Sequence, residues 1–342
     1  MGKRVRNNTI DLLRFLAAFA VVYGHCGCKN GAVLRFAVPL FFAISGYFYC
    51  NISAEKKSVR IKKTFELTLI ANLGYALVEL VTVIFSGEFS SWFKDMISVR
   101  NIFETLVLNK SPFGVHLWFL SALLFCMIID YFISKFKPKK GFYLAVVLGL
   151  IAVDVVYILF LRNFSKLYLR NFLLMGMPYF YIGKLFADAD LSKLMQNKYY
   201  AFMSKYWLDK ILAFVLIAVL TATTMLEREY FGKVELYFST PLLVLTIFVF
   251  ALTNPGAKLC KPLETLAVIG RKYSLAIYIS HHIYITLLNM IFVDNNFKDY
   301  PIVYAVCLFI LTLLISMLYY NIKGRIVSKK NSGKESAVLR YK

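Results

Sequence analysis

The chain has 342 residues, of which 59% are hydrophobic and 17% aromatic, and its formal net charge is +21 at pH 7. Soluble domains are about half apolar, so this composition excludes an ordinary soluble protein and indicates one that crosses a membrane several times. The basic residues recur in alternate loops and no nucleic-acid-binding motif is present, so the charge does not indicate a nucleic-acid partner.

About ten hydrophobic segments are long enough to cross a bilayer as helices. They lie near residues 9–28, 31–50, 65–86, 115–134, 142–161, 170–187, 208–227, 237–253, 264–292 and 301–322. The sequence therefore predicts an all-α, polytopic membrane helix bundle with about ten transmembrane helices. We expect residues 1–330 to form a single transmembrane domain and residues 331–342 a basic cytoplasmic tail. The ninth segment contains Gly270, Arg271 and Lys272, and an interruption there would divide it into two pieces.

Lysine and arginine concentrate in every second connection between these segments. These basic stretches include residues 3–6, 56–63, 135–140, 193–210, 258–261 and 323–330. With ten spans, all of them lie on one side of the membrane, which the positive-inside rule identifies as the cytoplasm. We therefore expect both termini to be cytoplasmic and the protein to lie in the plasma membrane.

The first hydrophobic segment contains two polar side chains, Arg14 and His25, that share one helix face. Eleven residues at about 100° each come within roughly 20° of three full turns, and the two side chains are then about 16 Å apart along the axis. A charged group inside a bilayer costs several kcal/mol, so the pair indicates a polar cavity. Asp11 lies three residues before Arg14 and is placed to orient its guanidinium. The structural alternative is that Arg14 only pairs with Asp11 and that His25 caps the helix at the interface.

Five stretches, in chain order, resemble motifs of the acyltransferase-3 family of membrane proteins. The first combines Asp11, Arg14, Ala18, Val22 and His25. The others are residues 38–47 (VPLFFAISGY), 116–120 (HLWFL), 170–183 with Arg170, Asn171 and the run MPYFYIG, and 274–281 (SLAIYISH). The resemblance spans almost the whole chain. It implies an O-acyltransferase that moves an acyl group, usually acetyl from acetyl-CoA, to a hydroxyl of a surface glycan or a lipid-linked sugar.

The resemblance implies catalytic roles for His25, Arg14 and Asp11. A histidine titrates near neutral pH and can act as the base that activates a hydroxyl. Arg14 offers a planar donor group for a phosphate or a polarised carbonyl. The separation of Arg14 and His25 is roughly the length of a pantetheine arm, so we expect acetyl-CoA to enter one membrane-spanning cavity from the cytoplasm. Cys26 and Cys28 lie beside His25, but no further ligands follow at metal spacing, and we expect no metal site.

The remaining candidates are expected to bind donor or substrate: Ser45, Arg60, Lys63, His116, Trp118, Arg170, Tyr278 and His281. Each also has an ordinary structural interpretation. Ser45 precedes Gly46 and would allow close helix packing, Trp118 would anchor the helix at the interface, and Arg170 would extend to lipid headgroups. The adjacent histidines 281 and 282 would only form hydrogen bonds within the helix packing. The 56–63 stretch has a single arginine where the family often has a pair, and it would only set the topology. Glu79 and Asp154 lie in apolar segments and require partners that the sequence does not name.

Two other functional classes remain open at this point. A carrier of a small molecule, such as the amino acid serine, would use the same fold without chemistry, and an interrupted ninth segment is typical of transporters. A structural scaffold would not need Arg14 and His25 on one face of a helix. Turnover of radiolabelled acetyl-CoA separates the enzyme from the carrier.

Overall fold

The computed structural model describes residues 7–27, 31–50, 52–161, 168–189, 196–255, 259–291 and 300–339, which form helices and turns and contain no strand. The α-helices are α1 Asn8–His25, α2 Ala37–Cys50, α3 Ala54–Ser86, α4 Phe89–Met96, α5 Val99–Val107, α6 Trp118–Ile133, α7 Lys140–Val156, α8 Met177–Ala187, α9 Lys198–Lys205, α10 Leu208–Phe231, α11 Ser239–Thr253, α12 Lys261–Ile291 and α13 Pro301–Leu339. A 3₁₀ segment, Gly31–Phe36, precedes α2, and π-helical segments extend α7 and α8 at Tyr157–Leu161 and Phe172–Gly176.

Several of these helices are suited to a membrane by length and composition. Six qualify among the described residues: Gly31–Cys50, Ala54–Ser86, Val115–Phe136, Lys140–Leu161, Leu208–Phe231 and Pro301–Arg325. Two shorter apolar helices cover Phe172–Ala187 and Ser239–Thr253. The predicted all-helical membrane bundle is therefore confirmed, and each predicted segment contains a helix. The total of ten spans and the side on which each terminus lies stay predictions.

The ninth predicted segment is not interrupted at Gly270. α12 continues through Gly270, Arg271 and Lys272 without a break, so the expectation of two pieces was wrong. A methyl group at position 270 would overlap the backbone carbonyl of Asp11 and approach Phe15. The glycine therefore allows α1 and α12 to pack closely, which is a different reason for its presence in a membrane helix.

The basic stretch at residues 56–63 is helical rather than a loop. α3 begins at Ala54 and has 33 residues, which correspond to about 50 Å at 1.5 Å per residue. The first turns of α3 therefore carry the lysines and the arginine beyond the length that a bilayer core requires. The connection after α3 contains the short helices α4 and α5.

Close packing of α2 on α8 forms the centre of the bundle. A side chain at Gly46 would overlap the carbonyl of Phe180, and one at Gly183 would overlap the carbonyl of Ala43. The two glycines thus bring the backbones together from both sides, as small residues do in membrane helix pairs. Large buried aromatic side chains, including Phe42 and Tyr179, fill the space around this contact.

Contacts between helix ends define two ends of the bundle. At the first, which we call the basic end, the Asn8 amide donates to the Pro255 carbonyl (3.0 Å), and Lys57 at the start of α3 contacts Asp130 near the end of α6. The opposite end, which we call the histidine end, contains the end of α1 with His25 and the 3₁₀ turn before α6 with His116. Arg14 and His25 consequently lie toward opposite ends of the bundle.

Candidate active site

A cavity of about 330 Å³ lies at the histidine end. Its lining includes His25 from α1, His116 and Trp118 from the start of α6, Arg170 from the segment before α8, and Tyr278 from α12. We call it the histidine cavity. Five of the candidates named from the sequence are thus brought together, although they come from four separate parts of the chain.

Four imidazoles cluster behind and beside this cavity. The His25 ring centroid is 5.1 Å from that of His281 and 5.7 Å from that of His282, and the His116 ring is stacked on His282 at 5.0 Å. The described side chains contain no group of three or more histidine, cysteine, aspartate or glutamate residues placed to hold a metal ion.

Backbone carbonyls select the tautomers of two of these rings. His116 Nε2 lies 3.0 Å from the Ile279 carbonyl, and His281 Nδ1 lies 2.7 Å from the Tyr278 carbonyl. Because a carbonyl only accepts hydrogen bonds, each of these nitrogens carries a proton. In the neutral rings, His116 Nδ1 and His281 Nε2 are therefore acceptors, and neither has a hydrogen-bond partner among the described residues. His281 is fully buried and contacts His25 from behind the cavity wall.

A three-residue charge cluster lies on another wall of the histidine cavity. Arg35 Nη1 donates to Glu235 Oε2 at 2.9 Å, and Arg170 Nη2 donates to Glu235 Oε1 at 2.7 Å. The carboxylate is buried, whereas both guanidiniums remain partly exposed to the cavity. Arg170 therefore binds a carboxylate of the protein, and the interpretation in which it only extends to headgroups does not describe its contacts.

A second cavity, of about 320 Å³, lies toward the basic end. Three arginines line it, Arg14 from α1, Arg60 from α3 and Arg271 from α12, together with Ser45 from α2. We call it the arginine cavity. Such a concentration of guanidiniums suits a ligand with phosphate groups, because each planar fork matches phosphate oxygens.

Contacts within α1 and with α2 orient the Arg14 side chain. Its Nη1 donates to Asp11 Oδ1 at 3.1 Å, and its guanidinium lies over the Phe48 ring at 4.9 Å from the ring centre. Asp11 itself is buried. One carboxylate and one aromatic face thus position Arg14 while it remains in the lining of the cavity.

Arg14 and His25 line two cavities and do not share the single cavity that we expected from their common helix face. Tyr278 lines both cavities, and its hydroxyl donates a hydrogen bond to the backbone carbonyl of His116. Because this side chain is buried and tethered, it forms a wall where the cavities meet.

Lys63, an expected donor-binding residue, differs in its position from Arg60. Its side chain is exposed and lines neither cavity, whereas Arg60 and Thr64 on the same helix line the arginine cavity. The helical geometry of this stretch explains the difference, because residue 64 is closer in angle to residue 60 than residue 63 is.

Several charged residues of the site escaped the sequence analysis. Arg35 and Glu235 contribute to the histidine cavity, and Arg271 to the arginine cavity. Arg271 was noticed only as part of an expected break in α12. An arginine within an otherwise apolar segment is itself a signal of a polar partner or cavity, and it could have identified this residue.

A buried ion-pair cluster at the basic end also escaped notice. Asp130 Oδ2 lies 3.1 Å from Lys57 Nζ, and Asp130 Oδ1 lies 2.8 Å from Lys184 Nζ. The cluster joins α3, α6 and α8 one turn from Arg60. For the two acids whose partners the sequence did not name, the described residues supply no hydrogen bond to the buried atoms Glu79 Oε2 and Asp154 Oδ1.

Comparison with known protein families identifies a match over most of the chain. Residues 7–321 match the model of the acyltransferase domain family Acyl_transf_3. Searches of curated proteins and of solved structures found no match. The matched range includes both cavities and every residue described above as lining them.

Proposed function

This chain belongs to acyltransferase family 3 and is a membrane acyltransferase, and we propose that it moves an acetyl group from acetyl-CoA to a hydroxyl of a cell-surface glycan or a lipid-linked sugar. We propose further that it does so in the plasma membrane, with the basic end and both termini in the cytoplasm. The abundance of lysine at the basic end supports this orientation.

The arginine cavity is the proposed donor site. Acetyl-CoA enters from the basic end, and Arg60 and Arg271 bind its phosphates. Arg14, positioned by Asp11, binds the donor deeper in the bundle. The pantetheine arm then passes the wall at Tyr278 and brings the thioester to His25, a distance of about 16 Å along α1.

The histidine cavity is the proposed site of chemistry. His25 removes the proton from the acceptor hydroxyl while the hydroxyl oxygen forms a bond to the thioester carbonyl carbon. The carbon–sulfur bond then breaks, CoA leaves as a thiolate, and the thiolate takes the proton from His25, which returns the imidazole to its neutral form. The products are an acetyl ester and free CoA. General-base assistance of this kind contributes about 10²–10⁴-fold to the rate.

One observation carries the proposal: the cavity that contains His25 and the cavity that contains Arg14 meet at the side chain of Tyr278. This arrangement allows a donor and an acceptor to approach from opposite ends of the bundle. The carrier hypothesis drew its support from an interrupted ninth helix, and α12 is continuous.

The test is turnover of radiolabelled acetyl-CoA by the purified protein in lipid nanodiscs. His25→Ala should lower acetyl transfer by about 10² or more. Arg14→Lys should also lose most activity, because an ammonium does not reproduce the planar guanidinium. His282→Ala is the matched control, since it removes an imidazole of the same cluster that does not line the cavity, and it should retain much more activity.

Each variant is first checked for expression, monodispersity and thermal unfolding, so that a failure to fold is not read as a loss of chemistry. Near-normal turnover in a well-folded His25→Ala protein would refute the assignment of His25 as the base. Uptake of an amino acid into vesicles without acetyl-CoA turnover would favour the carrier.

A further inference from the structure

The histidine cavity has an excess of positive charge. Four basic side chains contribute to its lining, and Glu235 is the single acidic one among the described residues. The basic residues are Arg35, Arg170, Arg228 and Lys233. A neutral sugar would require hydrogen-bonding groups but would not require this balance of charge.

The hydrogen bonds to Glu235 occupy only some of the N–H donors of Arg35 and Arg170. Each guanidinium donates to it from a single nitrogen, whereas an arginine has five N–H donors. The side chains of Arg35 and Arg170 are 30% and 26% exposed, while that of Glu235 is 4% exposed. The carboxylate thus anchors the two arginines from behind, and their remaining donors are available to the cavity.

The location makes an anionic ligand the favoured partner. Positive groups in a partly desolvated cavity are stabilised by an opposite charge, and guanidiniums bind carboxylates and phosphates through paired hydrogen bonds. Because His25 lines the same cavity, such an anion would lie close to the hydroxyl that reacts.

Resting on the acyltransferase function proposed above, we propose that the acceptor is anionic and carries a carboxylate or phosphate group close to the hydroxyl that is acylated. Arg35 and Arg170, fixed by Glu235, orient that group, and Arg228 and Lys233 attract it into the cavity. The phosphates of CoA are assigned elsewhere, because the arginine cavity lies on the other side of Tyr278.

The test compares acceptors that differ in charge. The purified protein in nanodiscs receives radiolabelled acetyl-CoA with methyl glucoside or methyl glucuronide, and in a second pair with glycerol or glycerol phosphate. The anionic member of at least one pair should show a KM or Kd lower by about tenfold or more, as expected for a charge-assisted contact. The two pairs distinguish a carboxylate from a phosphate, and Kd is measured separately by calorimetry.

Two variants and a matched control assign the effect to the cavity. Arg228→Gln and Lys233→Gln should each reduce the preference for the anionic acceptor and leave the KM for acetyl-CoA unchanged. Lys94→Gln removes a lysine from α4 that is exposed and lines neither cavity, and it should preserve the preference. Thermal unfolding confirms that all three proteins are folded.

The outcomes separate this inference from the proposed function. Equal Kd values for charged and neutral acceptors would overturn the inference while leaving acetyl transfer intact. A raised KM for acetyl-CoA in Arg228→Gln or Lys233→Gln, without a change toward the acceptor, would assign these cations to the donor and also overturn it. Preferential binding of the anions without any acetyl transfer would support the anionic site and refute the proposed chemistry.

Discussion

Replacing Asp130 with alanine should destabilise the basic end of the bundle and weaken donor binding. Its carboxylate is fully buried and contacts Lys57 Nζ at 3.1 Å and Lys184 Nζ at 2.8 Å. The two lysine side chains are only 10% and 8% exposed. The substitution therefore leaves two buried ammonium groups without the carboxylate that they share.

The distances set the size of the effect. With an effective dielectric constant of about 20, the attractions are about 5 kcal/mol for Lys57 and about 6 kcal/mol for Lys184. Repulsion between the two ammoniums and the cost of burying all three charges cancel much of this. Breaking a buried pair by removing one partner costs about 3–5 kcal/mol, and we expect Asp130→Ala to fall in that range.

Donor binding should change because Arg60 lies one turn after Lys57 on α3, so loosening the start of the helix displaces it. The assay measures the midpoint of thermal unfolding in detergent and the KM for acetyl-CoA. The control is Asp188→Asn, which removes an exposed carboxylate at the end of α8. Replacing all three members of the cluster with apolar residues should recover stability without restoring donor affinity.

A midpoint for Asp130→Ala equal to that of the control would refute the reasoning, because it would show that the cluster contributes no net stability. A large loss of stability with an unchanged KM for acetyl-CoA would support the stabilising role of the ion pairs and would refute their effect on donor binding through Arg60.

Three substitutions and one pH profile test other features of the structure. Arg271→Gln should raise the KM for acetyl-CoA more than it lowers kcat, and an unchanged KM would remove this residue from the donor site. Gly183→Ala should lower stability by about 1–3 kcal/mol or more, because the added methyl group overlaps the backbone of Ala43. Gly149→Ala is the control, since Gly149 has open space around it. Equal melting midpoints for the two variants would contradict the packing of α2 on α8. Tyr278→Trp should lower acetyl transfer by narrowing the route between the cavities, which single-turnover kinetics would measure, and an unchanged rate would show that the donor does not pass this side chain. Hydrogen bonds from neighbouring cations lower the pKa of Glu104 below its usual value. The stability that this carboxylate provides is therefore present above its unfolded pKa and is lost as the pH falls through the lower folded value. The difference in unfolding midpoint between the unmodified protein and Glu104→Gln should shrink on acidification, and a constant difference would contradict this linkage.

The positions of the helices could be predicted because a membrane imposes length and apolarity on each segment. The failure at Gly270 has a physical cause: the local sequence shows a helix-weakening residue, while the compensating contact comes from α1, far away along the chain. In the same way, positive-inside reasoning treats Lys57 as one more topogenic lysine, and its burial depends on Asp130, which is 73 residues away.

In the candidate site too, local features could be predicted from the sequence and contacts between distant residues could not. The motif histidines and arginines could be named because an ionisable group in an apolar segment stands out. Glu235 could not be paired with its partners, since it lies 65 residues from Arg170 and 200 from Arg35. Arg14 and His25 both line cavities, as their shared helix face predicts. The wall between the two cavities is Tyr278 of α12, and the sequence of α1 contains no information about that residue.

The shared wall at Tyr278 also bears on how a membrane stays sealed around such an enzyme. On the proposed chemistry, the body of CoA stays in the arginine cavity, its pantetheine arm reaches past the tethered Tyr278 ring, and the acceptor enters the histidine cavity from the other end. Neither CoA nor the acceptor has to cross, and only the small acyl unit changes sides, driven by cleavage of the thioester. An ion gradient across the membrane would thus be preserved through each catalytic cycle, because neither the whole donor nor the acceptor passes through the bundle.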